Sequence, residues 1–178
     1  GSIDSFITYG QGWAEAGMAP FRGVKGSMAE GGVRAAAFVH YPSLKNDGGI
    51  SHHFLTAQDV MPTLLEVAGA EHPGDFYHKR PTLPVRGKSF LSALQGSSQP
   101  VHSPDEAIGW ELHGQRALVR GDWKLLSTQT TGEPVWELYN LTNDPGERND
   151  FSTERPDLRD ELIAAWFAYA EEVGVALD

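Results

Sequence analysis

Between Phe21 and Arg34 the chain reads FRGVKGSMAEGGVR, and here its residue types come nearest to a chemistry. Arg22, Lys25 and Arg34 stand against a single acid, Glu30, in a chain whose formal net charge is -10. Gly23, Gly26, Gly31 and Gly32 lie among them. Glycine backbone reaches positive φ and lets a ligand or another strand approach closely. A loop built this way delivers positive charge to one spot, and an anion is its natural guest. Ordinary solvated loop cations are the plainer reading of the same residues.

Other chemistries fail on spacing. Gly87-Lys88-Ser89 lacks the upstream glycine of a phosphate-binding P-loop, because Thr82 stands in its place. Of the seven histidines only His52 and His53 are neighbours, without a third ligand at helical spacing, which gives metal ligation little support. No G-x-S-x-G elbow supports an esterase triad. The absence of cysteine removes disulfides, thiolate metal sites and a cysteine nucleophile together. Asn140-Leu141-Thr142 matches a glycosylation acceptor, a pattern common by chance. Trp13, Trp110, Trp123, Trp136 and Trp166 either line a sugar-binding face or, the commoner use, fill a core. The negative balance argues against general nucleic-acid binding but leaves a small anionic substrate open, since the local field steers a ligand into a cleft. No apolar run approaches the ~18 residues of a membrane span, and the opening GSIDSF lacks the features of a secretory signal.

The elements that must position these residues read as follows. A short helix opens near Trp13 and stops at Gly17 and Pro20. Val33 to Tyr41 is short, apolar and closed by Pro42, which suits a buried strand, although its alanines leave a helix open. Ser43 to Gly49 is a turn-rich loop. Asp59 to Gly69 is predicted helical: Asp59 caps it, Pro62 falls in the first turn, and Val60, Met61, Leu64, Leu65 and Ala68 form its apolar face. Residues 70 to 87 form a loop, and Lys88 to Leu94 a short helix ending at Gly96.

Ser97 to Pro104 is the predicted domain boundary. Beyond it four strands are expected: Ile108 to Leu112, Arg116 to Arg120, Trp123 to Ser127 and Trp136 to Leu141. Gly121-Asp122 joins two of them with the chemistry of a type II′ hairpin. Asn143 to Asn149 is a turn cluster. The last element, Pro156 to Val173 with Gly174 after it, carries Leu158, Leu162, Trp166, Tyr169 and Val173 as a helical stripe. The fold class expected is α/β over residues 1–100, then a small α+β domain over 101–178, an antiparallel sheet backed by one helix.

Taken in order, these segments resemble the C-terminal half of the sulfatases, most nearly the bacterial-type arylsulfatases. The resemblance rests on Phe21-Arg22 to Lys25 with Glu30-Gly31-Gly32-Val33-Arg34, on Asp59-Val60-Met61-Pro62-Thr63-Leu64-Leu65 with Ala68-Gly69, and on Arg86-Gly87-Lys88-Ser89. It continues through Trp110-Glu111-Leu112, Arg116-Ala117, Gly121-Asp122-Trp123-Lys124, Trp136 to Leu141, and Asp144-Pro145-Gly146-Glu147. The resemblance implies sulfate-ester hydrolysis on an alkaline-phosphatase-like domain followed by a small four-stranded domain. It also implies a formylglycine nucleophile from a C/S-x-P-x-R motif and a Ca²⁺ ion in the intact parent. Neither motif is met here: Ser98-Gln99-Pro100-Val101-His102 ends in histidine where arginine belongs, and the Asp-Asn pair of the metal site belongs upstream of position 1. The chain therefore reads as a C-terminal portion, inactive alone and binding no metal itself.

Within that resemblance Lys25 takes the place of the family's sulfate-binding lysine and is the catalytic candidate. Arg22 is the second substrate-binding candidate, although Arg22 and Arg34 are expected chiefly to hold the loop through carboxylate or backbone partners. The implied partners are a sulfate ester, the missing N-terminal part of the catalytic domain, and another copy through an exposed sheet edge, with neither nucleic acid nor membrane. The implied setting is a soluble protein of a bacterial cytoplasm or periplasm. Two rival readings are a non-catalytic glycan-binding or scaffolding module and a phosphoester or phosphonate hydrolase of the same superfamily.

Overall fold

A computed structural model describes residues 10–44 and 48–176. In chain order its elements are α1 (Gln11–Met18), α2 (Glu30–Val33), a 3₁₀ turn (Ala57–Asp59), α3 (Val60–Ala68), β1 (Phe76–Tyr77), β2 (Arg80–Pro81), α4 (Leu91–Leu94), β3 (Ala107–Leu112), β4 (Gln115–Arg120), β5 (Trp123–Ser127), β6 (Glu137–Asn140) and α5 (Pro156–Val173). They fall into two compact units, residues 10–36 with 105–176, and residues 37–104. The glycine-rich loop falls in the same unit as the C-terminal sheet.

In the first unit, β3 to β6 form one antiparallel sheet in sequence order. Two-residue turns close its first hairpins. His113 and Gly114 both take positive φ between β3 and β4, and Gly121 does so between β4 and β5. Strand alternation then sends two sets of side chains to opposite faces. Leu118, Leu125 and Leu138 bury against Leu162, Trp166 and Ala170 of α5. The indole Nε1 of Trp166 donates to the carbonyl of Trp110, 3.1 Å away. Ala117, Leu126 and Tyr139 bury on the other face against Met28 and Ala29 of the glycine-rich loop. The helix stripe ends differently from the sequence expectation, with Ala170 buried and Val173 exposed. Gly174 terminates α5 at φ 73, as its position predicts.

The strand predicted over Val33 to Tyr41 does not form. Beyond Val33 the chain makes no ladder up to Tyr41, and Phe38 is 92% exposed. An apolar segment becomes a buried strand only with neighbours to receive its hydrogen bonds, and among the described residues no strand lies beside it. The same holds for the α/β expectation over residues 1–100: the described residues there form helices and the small β1–β2 hairpin, with no parallel sheet. The loop predicted over Ser43 to Gly49 lies partly outside the described residues.

α3 also departs from expectation. Its predicted apolar face is largely exposed at Val60, Met61 and Leu64, while Asp59 and Thr63 are buried. Asp59 does not cap α3. Its carboxylate turns back to the amide and hydroxyl of Thr56, and accepts from the Lys88 amide at 2.8 Å and His102 Nε2 at 2.9 Å. Thr63 Oγ1 donates to the Asp59 carbonyl and accepts from the Phe90 amide. The D-x-x-P-T and R-G-K-S segments are thus tied together by polar contacts. Gly87 passes so close to the carbonyl of Gln58 that a Cβ would collide with it. Burial pushes the Asp59 carboxyl up, but the His102 bond and the Lys88 and Thr56 amides outweigh it and leave its pKa below the ordinary value.

A depressed folded pKa stabilises above the unfolded value of 3.8 and ceases to do so as pH falls through the folded value. Asp59→Asn is therefore expected to cost about 3 kcal/mol at pH 7, the scale for breaking a buried polar pair. It should also flatten the loss of stability below pH 3.8. Urea titrations at a series of pH values check this. Parallel acid profiles for variant and parent chain would contradict it.

Candidate functional site

Three sequence segments meet on the face of the sheet opposite α5. The first is the loop from Phe21 to Arg34, ending in the single turn α2. Its glycines allow it to fold on itself: the Gly31 amide donates to the Arg22 carbonyl at 2.7 Å, and a Cβ on Gly31 or Gly32 would run into the carbonyl of Gly23 or Ser27. That hairpin-like return brings Glu30 inward until it is 5% exposed. The second segment is β5, whose register points Lys124 to the same face as Leu126. The third is the turn after β6, where Asp144 accepts from the amides of Arg148 and Asn149. Burial raises the Asp144 pKa, but those amides and the Asn149 side chain outweigh it and leave the pKa lowered. The turn places Glu147 at φ 53 with its carboxylate wholly buried.

Lys124, fully buried, lies between the two acids. Its ammonium is 2.8 Å from Glu30 Oε1, with hydrogen-bond geometry, and 2.8 Å from Glu147 Oε1, where the angle makes the contact an ion pair rather than a hydrogen bond. The second oxygen of Glu147 accepts from the Glu30 amide at 3.0 Å. Arg22 continues the chain of charges, 3.0 Å from Glu137 and 3.6 Å from Glu147, with its guanidinium over the Tyr139 ring and donating to its hydroxyl. Burial, partly offset by Arg22, pushes the Tyr139 phenol up to about 12. Arg34 pairs with Glu30 at 3.5 Å and lies over Phe21. Three cations and three carboxylates thus balance one another in one cluster.

Lys25 stands outside this cluster. It is exposed, and its ammonium has no hydrogen bond or ion pair among the described residues. Gly23 and Gly26, at φ 79 and 94, flank the bend that carries it. Lys25 also borders a hollow of about 320 Å³ with Trp13, Ala14, Gly17, Met18 and Val24. The structure thus separates the two sequence candidates: Arg22 is engaged by carboxylates, and Lys25 is presented to solvent. Sequence reasoning missed Lys124, Glu137 and Glu147. No local signal marks Lys124, because its burial on β5 depends on partners brought by distant segments.

The residues fit poorly with a metal role. Among the described residues no group of three or more His, Asp or Glu side chains could hold a metal ion. The Glu30 and Glu147 carboxylates already enclose an ammonium. No described helix is long and apolar enough to cross a membrane.

Removing the ammonium leaves two buried carboxylates facing each other. Lys124→Met is expected to destabilise the chain by about 3–5 kcal/mol, the scale for breaking one side of a buried ion pair. Adding Glu30→Gln and Glu147→Gln to it should recover much of that loss. Chemical denaturation of the three proteins checks the prediction, and a neutral Lys124→Met would contradict it.

No family model matches the chain. It is 40% identical over 176 residues to an uncharacterized sulfatase of Schizosaccharomyces pombe, covering 98% of this chain and 32% of that protein. It is 29% identical to arylsulfatase J of Mus musculus, over 81% of this chain and 30% of that one. The solved structure of Ps i-CgsB superposes with a TM-score of 0.65 at 24% identity, over 85% of this chain and 32% of the other, a likeness of fold. The chain spans about a third of the length of the curated relatives it matches. The chain is therefore similar to sulfatases over about a third of their length.

Proposed function

We propose that this chain supplies a sulfate-binding cation to a sulfuric ester hydrolase, with Lys25 as the residue that contacts the sulfuryl oxygens. The observation that carries this reading is the partition of charge in the loop. Among the described residues Arg22 and Arg34 are taken up by carboxylates, while the Lys25 ammonium has no such partner and is open to an anion. Cleavage of the ester moves negative charge onto the sulfate and leaving oxygens, and a preplaced ammonium stabilises that charge as it develops. Arg22 has a positioning role in this reading, holding the loop to Glu137 and Glu147.

The reading extends to the remaining parts of the enzyme. In this reading the unit of residues 10–36 and 105–176 is the small C-terminal domain with the loop that packs on it, and the alkaline-phosphatase-like sheet is supplied by the rest of the enzyme. The nucleophile and the calcium ligands belong to sequence outside this chain. A phosphoester or phosphonate hydrolase would use the same cation, but the relatives named sulfatases favour the sulfate ester.

The purified chain is accordingly expected to show no turnover of an aryl sulfate. In an enzyme containing this sequence with its catalytic domain, Lys25→Ala should lower kcat/KM by about a hundredfold or more, the usual loss for one such donor. Steady-state kinetics check both. Hydrolysis by the isolated chain would overturn the first expectation, and unchanged kinetics in the variant would overturn the assignment of Lys25.

A further inference from the structure

We propose that Gln115, at the start of β4, is a positioning residue for the sulfate-binding cation, clamping the turn that carries Lys25 to the sheet. This rests on the sulfate-binding reading of Lys25 and adds the group that aims it. The charged cluster secures the loop at Arg22 and at Glu30. Lys25 sits between those anchors, on a turn that the cluster does not touch. The Ser27 amide closes that turn by donating to the Val24 carbonyl at 2.9 Å. Lys25 and Gly26 are its central residues. Gly26 takes φ 94, while Lys25 is not among the residues of positive φ. The turn is therefore of type II, with glycine where that type demands it.

Such a turn can swing as a body about its ends without breaking its own hydrogen bond, and Lys25 would swing with it. Two bonds from one side chain oppose this. Gln115 Oε1 accepts from the Met28 amide at 3.2 Å, and Gln115 Nε2 donates to the Gly26 carbonyl at 3.0 Å. Among the described residues no other hydrogen bond joins residues 24–28 to the sheet. The residue type follows from the chemistry. The Met28 amide requires an acceptor and the Gly26 carbonyl a donor, side by side, as the peptide group of a neighbouring strand would offer them. A side-chain amide carries both in one plane, whereas a carboxylate lacks the donor and an ammonium the acceptor.

The sheet aims this side chain. Gln115 pairs with Leu112 across the turn of His113 and Gly114, and strand alternation sends it to the same face as Ala117. Ala117 buries with Met28 and Ala29, so Gln115 reaches the loop beside an apolar contact. The β3–β4 turn is itself pinned. The Gly114 amide donates to Glu111 Oε1 at 2.8 Å, and a Cβ on Gly114 would strike the Thr130 carbonyl. Electrostatic stabilisation of a developing charge needs the ammonium in place before the reaction. Misplacing a reacting group by about 1 Å costs up to roughly a hundredfold in rate.

The test is a double-mutant cycle on kcat/KM for an aryl sulfate, in an enzyme containing this sequence with its catalytic domain. Gln115→Leu removes both bonds at similar volume, and Gln115→Ala removes them with less bulk to accommodate. Each is expected to lower kcat/KM about tenfold beside an intact Lys25. In the Lys25→Ala background the same substitutions should change it by less than about twofold, because a cation that is gone cannot be misplaced. A residue that only stabilised the fold would give equal losses in both backgrounds. In the 178-residue chain, hydrogen exchange should show the Met28 amide losing protection in Gln115→Leu. The Glu30 and Gly31 amides, which donate to Glu147 and to the Arg22 carbonyl, should keep theirs.

Equal losses in both backgrounds, no loss beside an intact Lys25, or unchanged Met28 protection would overturn the positioning role of Gln115 while Lys25 keeps its own. If Lys25→Ala by itself leaves kcat/KM unchanged, the sulfate-binding reading fails and this inference fails with it.

Discussion

An ammonium group with no access to water cannot stay charged without company, and this constraint shapes the C-terminal unit. Lys124 is buried on β5 between Glu30, from a loop ninety-four positions earlier, and Glu147, from a turn just beyond β6. A lone ion at that depth would cost several kcal/mol even after relaxation. Two carboxylates, one of them also accepting a backbone amide, make the position tenable. Both acids must come to 2.8 Å from the ammonium. A leucine at position 124 would bury as well but would carry no information about where Glu30 must lie.

The surrounding residues serve that requirement. Gly31 and Gly32 let the loop fold back tightly enough to turn Glu30 inward, and the Asp144 carboxylate holds the turn that puts Glu147 in a left-handed conformation. Arg22 extends the network to Glu137 on β6 and lies over Tyr139. The loop therefore covers the second face of the sheet much as α5 covers the first, with Met28 and Ala29 as its apolar contribution. Once the acids are consumed by Lys124, Arg22 and Arg34, the loop presents at Lys25 a positive charge without an ion pair among the described residues. A buried knot of balanced charge and an exposed single charge are two outcomes of the same arrangement.

What the sequence discloses and what it hides follow from the range of the forces involved. The four strands and α5 are legible because strand runs, turn glycines and the spacing of Leu158, Leu162 and Trp166 are local signals. The end of α5 at Gly174 is legible for the same reason. Val33 to Tyr41 misleads because an apolar run reports a wish for burial but not whether neighbours exist to satisfy it. α3 misleads similarly: Val60, Met61 and Leu64 satisfy the helical period, yet the face that is buried is organised by Asp59 and Thr63. Lys124 was hidden most completely. A lysine in a strand reads as a solvent-facing residue unless its partners are known, and those partners come from Glu30 and Glu147, outside any local window. Lys25 is a candidate only through family likeness, since its type and exposure alone match any surface lysine.

The central claim is that the Lys124 knot fixes the loop that presents Lys25. Its most direct test is hydrogen exchange of the loop amides, above all those of Glu30 and Gly31, in the parent chain and in Lys124→Met. These amides donate to Glu147 and to the Arg22 carbonyl. The expected result is that they lose protection in the variant while the β3–β4 amides, held by their own ladder, keep theirs under native conditions. Unchanged protection in the loop would contradict the claim, because the loop would then be held without the buried charge.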